Sequence, residues 1–400
     1  MGTFNGKSGN DFLKGSTSAD KILGFAGNDS LFGLSGDDII DGGDGNDTLD
    51  GGDGNDKITG GNGNDKLLGG NGNDVLSDFS GTDFYSGGAG YDTLDYSGMK
   101  SGRGVDVYLT LGIGGRDAAG DTYSGIENVT GTQYQDFLWG EAGNNVLNGG
   151  AGNDFMRGFA GNDTFFGGDG NDEMYGDAGY DLFRPGYGQD IIDGGASSDW
   201  MDFTDVGSAM TVDFVKDSYS GPLQKWGKPD GDQVYNVEGL RGTNFDDKID
   251  LNGAAGWMSF TSVDGGKGND TLSGASTFFG GLGEDTVRLT TGMSQWVVLQ
   301  RDMGIDKVVS FDSADGDKLA VSRSQFGLKT DTSGNTIYNW VNTTDAPHAL
   351  TTGPAFIYET TTQILWFDAD GTGGKAAPIA LAGFYAPANA LSATDLVFIG

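Results

Sequence analysis

Apolar side chains recur every nine residues at the start of the chain: Leu13, Ile22, Leu31, Ile40, Leu49, Ile58, Leu67, Leu76, Tyr85 and Leu94. An aspartate stands two places before each, from Asp11 through Asp20, Asp29, Asp38, Asp47, Asp56, Asp65, Asp74, Asp83 and Asp92. Glycines fill the first, second and fourth positions of the period, as in Gly42-Gly-Asp-Gly-Asn-Asp47-Thr-Leu-Asp50. Glycine permits the backbone angles of a tight turn. The three residues after the aspartate make a strand with one inward apolar side chain, too short to bury anything alone. The pattern therefore predicts a stack of turns in which each strand gains a core only from its neighbours.

The phase breaks after Asp92, and Val105-Asp-Val-Tyr-Leu109 and Tyr123 to Val129 read as strands. It returns at Asp136, Asn145, Asp154, Asp163, Asp172, Asp181, Asp190 and Asp199, then breaks again at Thr211-Val-Asp-Phe-Val215. Asp232, Val237, Glu238, Gly242 and Asp247 match Asp121, Ile126, Glu127, Gly131 and Asp136 at a constant offset of 111, so a unit of repeats plus spacer is duplicated. A third copy is interrupted from Trp257 to Phe260 and resumes around Asp270 and Asp285. Beyond Thr290, runs such as Trp296-Val-Val-Leu299 and Ile364-Leu-Trp-Phe367 predict further strands. The expected division is a first roll over 1–95, spacer strands over 96–130, a second roll over 131–203, a second spacer over 204–241, an interrupted third roll over 242–289 and a C-terminal β domain over 290–400. With 75 glycines and no lasting 3.6-residue period, the chain is expected to be all-β.

Charge changes the picture. The chain carries 23 basic and 58 acidic residues, a net charge of -35, which repels nucleic acids and anionic membranes. The acids sit at fixed turn positions, so stacking brings carboxylates and carbonyl oxygens together, and only a hard cation between the layers relieves the repulsion. Calcium, with six to eight oxygen ligands, suits such a site. No cysteine is present, excluding disulfides and thiolate metal sites. Met1-Gly-Thr-Phe-Asn-Gly-Lys7 has no apolar leader core, and no apolar run approaches the roughly 20 residues that span a bilayer.

The pattern Gly-Gly-x-Gly-x-Asp-x-apolar-x resembles that of the repeats-in-toxin (RTX) proteins, whose nonapeptides bind calcium. The resemblance implies a right-handed parallel β-roll with two nonapeptides per coil. It also implies that each ion lies between turns two repeats apart, held by the second and fourth carbonyls and the aspartate of one turn and the first and third carbonyls and aspartate of the other. One implied site joins Phe25, Gly27 and Asp29 with Gly42, Asp44 and Asp47; the next joins Leu34, Gly36 and Asp38 with Gly51, Asp53 and Asp56. Continued, the first block uses Gly45, Gly54, Gly60, Gly63, Gly69 and Gly72 with Asp65, Asp74, Asp83 and Asp92, and Asp11 at its start. The second block uses Gly152, Gly161 and Gly167 with Asp154, Asp163, Asp172, Asp181 and Asp190, and the third copy Asp270 and Asp285. Ser16 to Ala19 lacks the glycines, so little calcium is expected at Asp20.

RTX proteins leave the cell by type I secretion, and Ser392-Ala-Thr-Asp395-Leu-Val-Phe-Ile-Gly400 resembles their uncleaved C-terminal signal; the segment from 290 resembles their C-terminal domain and is expected to cap the solenoid. Catalysis finds little support. The single histidine, His348, excludes a His-Glu-x-x-His zinc site, no serine stands in Gly-x-Ser-x-Gly, Gly6-Lys7-Ser8 lacks a P-loop glycine, and Asp368 to Gly371 lacks the distal glutamate of an EF-hand. The expected function is that of a secreted, extracellular or cell-surface calcium-binding protein, not an enzyme, which self-associates or binds a host surface or extracellular polysaccharide. The alternative is a uronate epimerase or lyase on a β-solenoid, using Arg103, Arg116, Lys225 and Arg241 of the spacers; the loop Lys225-Trp226-Gly-Lys228 offers charge and stacking for an anionic sugar.

Overall fold

The computed structural model describes residues 1–78, 80–100, 102–213, 218–220, 232–252, 260–299, 306–311, 313–326, 328–330, 336–337, 339–343, 354–359, 363–369, 378–385 and 391–399. His348, Lys225, Trp226, Lys228, Trp257 and Gly371 lie outside these residues. The fold is all-β, and the helical content among the described residues is two single 3-10 turns, Leu109–Leu111 and Ala393–Asp395.

The chain forms two compact units, Met1–Trp200 with Trp226–Val237, and Met201–Lys225 with Glu238–Gly400. In the first unit, successive nonapeptides alternate between two parallel sheets. Asp20–Ala26, Ile39–Asp44, Lys57–Asn62 and Val75–Ser77 pair in one sheet, and Ser30–Ser35, Thr48–Asp53, Lys66–Asn71 and Phe84–Ala89 in the other. Every partner is 18 residues away: Ile22 faces Ile40, and Leu31 faces Leu49. This is a parallel β-solenoid with two repeats per coil.

The eighth position of each repeat fills the interior. Ile22, Leu31, Ile40, Leu49, Ile58, Leu67, Leu76, Tyr85 and Leu94 are all fully buried, as are Leu138, Leu147, Met156, Phe165, Met174, Phe183 and Ile192 in the second block. Phe165 stacks on Phe183 at 4.8 Å with planes 6° apart. Coils approach so closely that a Cβ on Gly43, at φ 103°, would collide with the carbonyl of Phe25. Glycine is the residue that admits both the angle and the approach.

The first spacer continues the sheets. Thr122–Ser124 pairs parallel to Phe84–Ala89, Ile113–Arg116 runs antiparallel between Thr122–Ser124 and Val105–Tyr108, and Val105–Tyr108 pairs parallel to Phe137–Trp139. On the other sheet Asn128–Thr130 joins Thr93–Asp95 to Val146–Ala151 without an added strand. Tyr96 and Tyr123 fill the widened interior, their hydroxyls 2.7 Å apart.

The second unit repeats the design less regularly. Gly239–Arg241, Ser262–Asp264, Thr277–Phe279, Trp296–Leu299, Lys318–Ser322 and Leu396–Ile399 form one parallel series. Thr211–Asp213, Lys248–Asp250, Thr271–Ser273, Thr286–Arg288, Asp306–Val309 and Ile379–Tyr385 form the other. Parallel pairing thus runs on well past residue 290. Beyond Ile379–Tyr385 the second series turns antiparallel through Ile364–Asp368 to Ala355–Glu359, which Asn339–Thr343 joins in parallel.

Because each interior position touches only neighbouring coils, a cavity there is local but not shared out. Ile58→Ala should cost roughly 2–4 kcal/mol in a calcium-saturated denaturation, whereas truncating the exposed Ile39 should cost under about 0.5 kcal/mol.

Candidate metal centres

The turns between strands place the sixth-position aspartates in a row. The backbone N–H of Asp29 donates to Oδ1 of Asp47 at 2.7 Å, that of Asp38 to Asp56 at 2.7 Å, that of Asp47 to Asp65 at 2.6 Å, and that of Asp56 to Asp74 at 2.7 Å. The second block does the same: Asp154 to Asp172 at 2.8 Å, Asp163 to Asp181 at 2.8 Å and Asp172 to Asp190 at 2.9 Å. One carboxylate oxygen is thereby spent in the coil-to-coil register.

The other oxygen is left over. Oδ2 of Asp29, Asp38, Asp47, Asp56, Asp65, Asp74, Asp92, Asp154, Asp163, Asp172, Asp181, Asp190, Asp270 and Asp285 is buried with no hydrogen-bond partner. A buried, unsatisfied anionic oxygen is costly, and a row of them more so. Most point at the space beside the first glycine of their own turn, and at Asp29, Asp38, Asp47, Asp56, Asp74, Asp92, Asp154, Asp172, Asp181 and Asp270 a main-chain carbonyl from the next coil also arrives there. Oδ2 of Asp29 and the carbonyl of Gly42 crowd the point where a Cβ on Gly24 would stand; Asp47 with Gly60 crowds Gly42, and Asp56 with Gly69 crowds Gly51. The carbonyls of Gly27, Gly36, Gly45, Gly54, Gly63 and Gly72 abut the fourth glycine of the next coil, and so do those of Gly152 and Gly161. Gly167 carries its carbonyl to the space beside Gly149 and Asp154. The carbonyls of Asp44 and Asp53 accept the N–H groups of Gly27 and Gly36 at 2.7 and 2.6 Å. The donor set is entirely oxygen, part carboxylate and part carbonyl, which is the chemistry calcium takes.

Burial is the main cause of perturbed acidity in this row. It raises the carboxyls of Asp47, Asp92, Asp163, Asp172, Asp181 and Asp285 to about 6, those of Asp56 and Asp83 to about 7, and those of Asp154, Asp190 and Asp270 to about 8.

Some turns close without an ion. Thr132 gives both its N–H and its hydroxyl to Asp136, Thr243 does so for Asp247, and Ser16 for Asp20. Asn145 donates its amide to the carbonyl of Glu127 at 2.7 Å, so an N–H stands where an anion would need a cation. Asp11, at the first coil, accepts the Lys7 N–H on Oδ2 and is only half-buried.

The aspartate row also crosses the interruptions. The N–H of Asp83 donates to Asp121 at 2.9 Å, that of Asp190 to Asp232 at 2.9 Å, that of Asp247 to Asp270 at 2.7 Å, that of Asp270 to Asp285 at 2.8 Å and that of Asp285 to Asp306 at 3.2 Å. Asp121 and Asp232 were marked in the sequence by their 111-residue offset; Asp306 keeps only the Gly304 and Val308 of the repeat pattern, a faint signal beyond the last full glycine run. An exposed row of fifth-position asparagines runs in the opposite sense, Asn46 donating its N–H to Asn28 and Asn64 to Asn46. Asp78, at a first position where neighbouring repeats carry glycine, is a further buried acid beside Asp65 that the glycine pattern hid.

The spacer arginines are engaged in ion pairs. Arg103 meets Asp117 at 2.9 Å, Arg116 meets Asp106 at 2.8 Å, and Arg241 meets Asp264 at 3.0 Å. Arg241 also borders a cleft of about 260 Å³ with Thr204, Asn244, Lys267 and Leu282. Arg103 and Arg116 are neighbours, Arg116 donating to the Arg103 carbonyl at 3.3 Å.

The raised carboxyls set the direction of pH dependence. Each binds a proton more readily in the fold than in the unfolded chain, so without calcium the stability falls as pH rises from about 4 to about 8. Thermal melts in chelator should show the midpoint dropping across this window, and saturating calcium, which binds the ionised form, should reverse the trend.

Comparison with known proteins agrees with this geometry. A family model described as the RTX calcium-binding nonapeptide repeat (4 copies) matches residues 5–40, 23–58, 32–67, 59–94, 121–156, 153–183, 186–204 and 262–287. Among solved structures, the extracellular lipase LipA from Serratia marcescens aligns over 66% of this chain and 40% of its own at 17% identity, with a TM-score of 0.21. The chain thus spans about 40% of the length of that lipase. The match across both regular blocks and the third copy, on a parallel β-roll with its row of turn aspartates, places this chain in the RTX family of calcium-binding nonapeptide-repeat proteins.

Proposed function

We propose that this protein is exported by type I secretion, folds when it meets extracellular calcium, and acts outside the cell as a structural, adhesive or self-assembling body. The observation that carries the reading is the row of buried aspartate oxygens that lack partners. A chain with net charge -35 cannot compact around them until cations are supplied, so a calcium-poor compartment keeps it extended and a calcium-rich one folds it. The ligands are the aspartates and turn carbonyls of paired coils, Phe25, Gly27, Asp29, Gly42, Asp44 and Asp47 making one set. The six segments bounded at 95, 130, 203, 241 and 289 are its rolls, spacers and C-terminal domain. The tail from Ser392 is the export signal, and its apolar end is the strand Leu396–Ile399 laid along Lys318–Ser322.

A second reading, an acidic polysaccharide as partner, is favoured by one surface. On the outer face of one sheet, half-buried rings follow one another: Phe137 stacks on Phe155 at 5.7 Å, Phe155 meets Tyr175 at 5.3 Å, and Trp139 meets Tyr108 at 5.1 Å and Phe159 at 5.9 Å. Arg116 lies over Phe137 at 4.3 Å and Arg157 over Phe159 at 4.9 Å. Rings flanked by guanidinium groups suit pyranose faces and uronate carboxylates.

Circular dichroism with light scattering during calcium titration from the chelated state tests the first reading. Strand signal should rise with calcium, followed by growth of particles; a fold indifferent to chelation would sink it. For the second, Trp139→Ala should weaken retention on an acidic polysaccharide by about tenfold with the calcium-dependent fold intact; product formation from that polysaccharide would favour the enzyme alternative over simple binding.

A further inference from the structure

One turn of the first block breaks the repeat in a way that adds ligand charge. The nonapeptide Asp78-Phe-Ser-Gly-Thr-Asp83-Phe-Tyr-Ser86 begins with aspartate where its neighbours begin with Gly51, Gly60, Gly69 and Gly87. In ordinary turns the space beside the first glycine receives an aspartate Oδ2 and a main-chain carbonyl: Asp56 with Gly69 beside Gly51, and Asp74 with Gly87 beside Gly69. Beside Gly60 the arrivals are Oδ2 of Asp65 and Oδ2 of Asp78, so a side-chain carboxylate stands where Gly51 and Gly69 receive a carbonyl.

Oxygens of Asp65, Asp78 and Asp83 lie within 4.8 Å of one another, and the three residues are 3%, 1% and 4% exposed. Among the described residues no other trio of potential metal-binding side chains meets so closely. The backbone fixes two of the three. The Asp65 N–H holds Oδ1 of Asp83 at 2.7 Å, and Oδ1 of Asp78 accepts the Ser80 N–H at 3.2 Å. Oδ2 of Asp65 is buried and aimed into the group with no N–H or hydroxyl donor, meeting only the carboxyl of Asp78. The fully buried Tyr85 hydroxyl also lacks a partner and feels the charges of Asp121, Asp78 and Asp83.

We propose that Asp65, Asp78 and Asp83 form a three-carboxylate cation site, distinct in kind from the two-carboxylate sites of the other coils, which fills first with calcium and prefers trivalent ions. The inference rests on the reading that the coils bind calcium. Affinity of an oxygen cage rises with the number of charged ligands, and a third carboxylate gains more from a trivalent ion than from a divalent one. Filling this site fixes the coils on both sides of it, so it is the natural starting point for ordering the first block.

The test is a titration of the full chain with calcium alone, followed by calorimetry, and with terbium alone, followed by luminescence excited through tyrosine. Tyr85 is the built-in sensitiser. Wild type should show one ion class at least about tenfold tighter than the rest, with a larger gap for terbium. Asp78→Gly, which restores the glycine of neighbouring repeats, and Asp78→Asn, which keeps the shape, should each remove that class and leave the weaker classes and the calcium-saturated dichroism unchanged. Curves of wild type and both variants that superimpose would overturn the proposal while leaving calcium binding by the repeats in place. Absence of any calcium binding would instead overturn the underlying reading.

Discussion

The structure depends on one contact repeated along its length: a backbone N–H of one coil held by the aspartate carboxylate of the next. It spans 18 residues in each regular block and stretches to 38 and 42 at the interruptions without being lost. This contact fixes the register of the sheets, since an aspartate displaced by one residue would turn its side chain away from the turn. It also buries the carboxylate and strands its second oxygen. The fold therefore creates its own deficit of positive charge wherever that oxygen finds no donor, and there the cation is a structural member rather than an addition.

That deficit explains which coils are plain and which are modified. Where threonine or serine follows the first glycine, its hydroxyl and N–H supply the aspartate with donors, both oxygens at Thr132 and Asp136 and Oδ2 alone at Ser16 and Asp20. Where asparagine replaces aspartate, at Asn145, an amide donor takes the place of the ion. These coils sit at the ends of blocks or beside spacers. Coils inside the blocks keep aspartate and glycine and remain dependent on cations. The chain thus carries both self-sufficient and ion-dependent turns within a single architecture.

Much of this was legible in the sequence because the period is strict. The eighth-position residues named the core from Ile22 to Leu94, and the sixth-position aspartates named the row. What escaped was of two kinds. Asp121 and Asp232 in the spacers and Asp306 beyond residue 290 join the row by pairing with partners 38, 42 and 21 residues away, separations that the nine-residue period does not forecast. Asp78 escaped because a glycine pattern makes any replacement look like decay, when here the replacement points inward. The extent of parallel pairing beyond residue 290 was hidden for a related reason: β-branched strands such as Trp296–Leu299 and Lys318–Ser322 continue the series after the glycine turns have stopped. Past that point the coils are held by parallel strand pairing, with the aspartate contact recurring at Asp306 and Asp317.

The alternation of strands between two sheets gives the chain a parity. Insertion or loss of 18 residues adds or removes a whole coil and returns every later strand to its former sheet. A change of nine would send each later strand of that unit to the opposite sheet, moving the antiparallel strand Ile113–Arg116 and the aromatic row of Phe137 and Phe155 to the other face. Evolution can therefore tune the length of such a protein freely in even steps, while odd steps invert its surface.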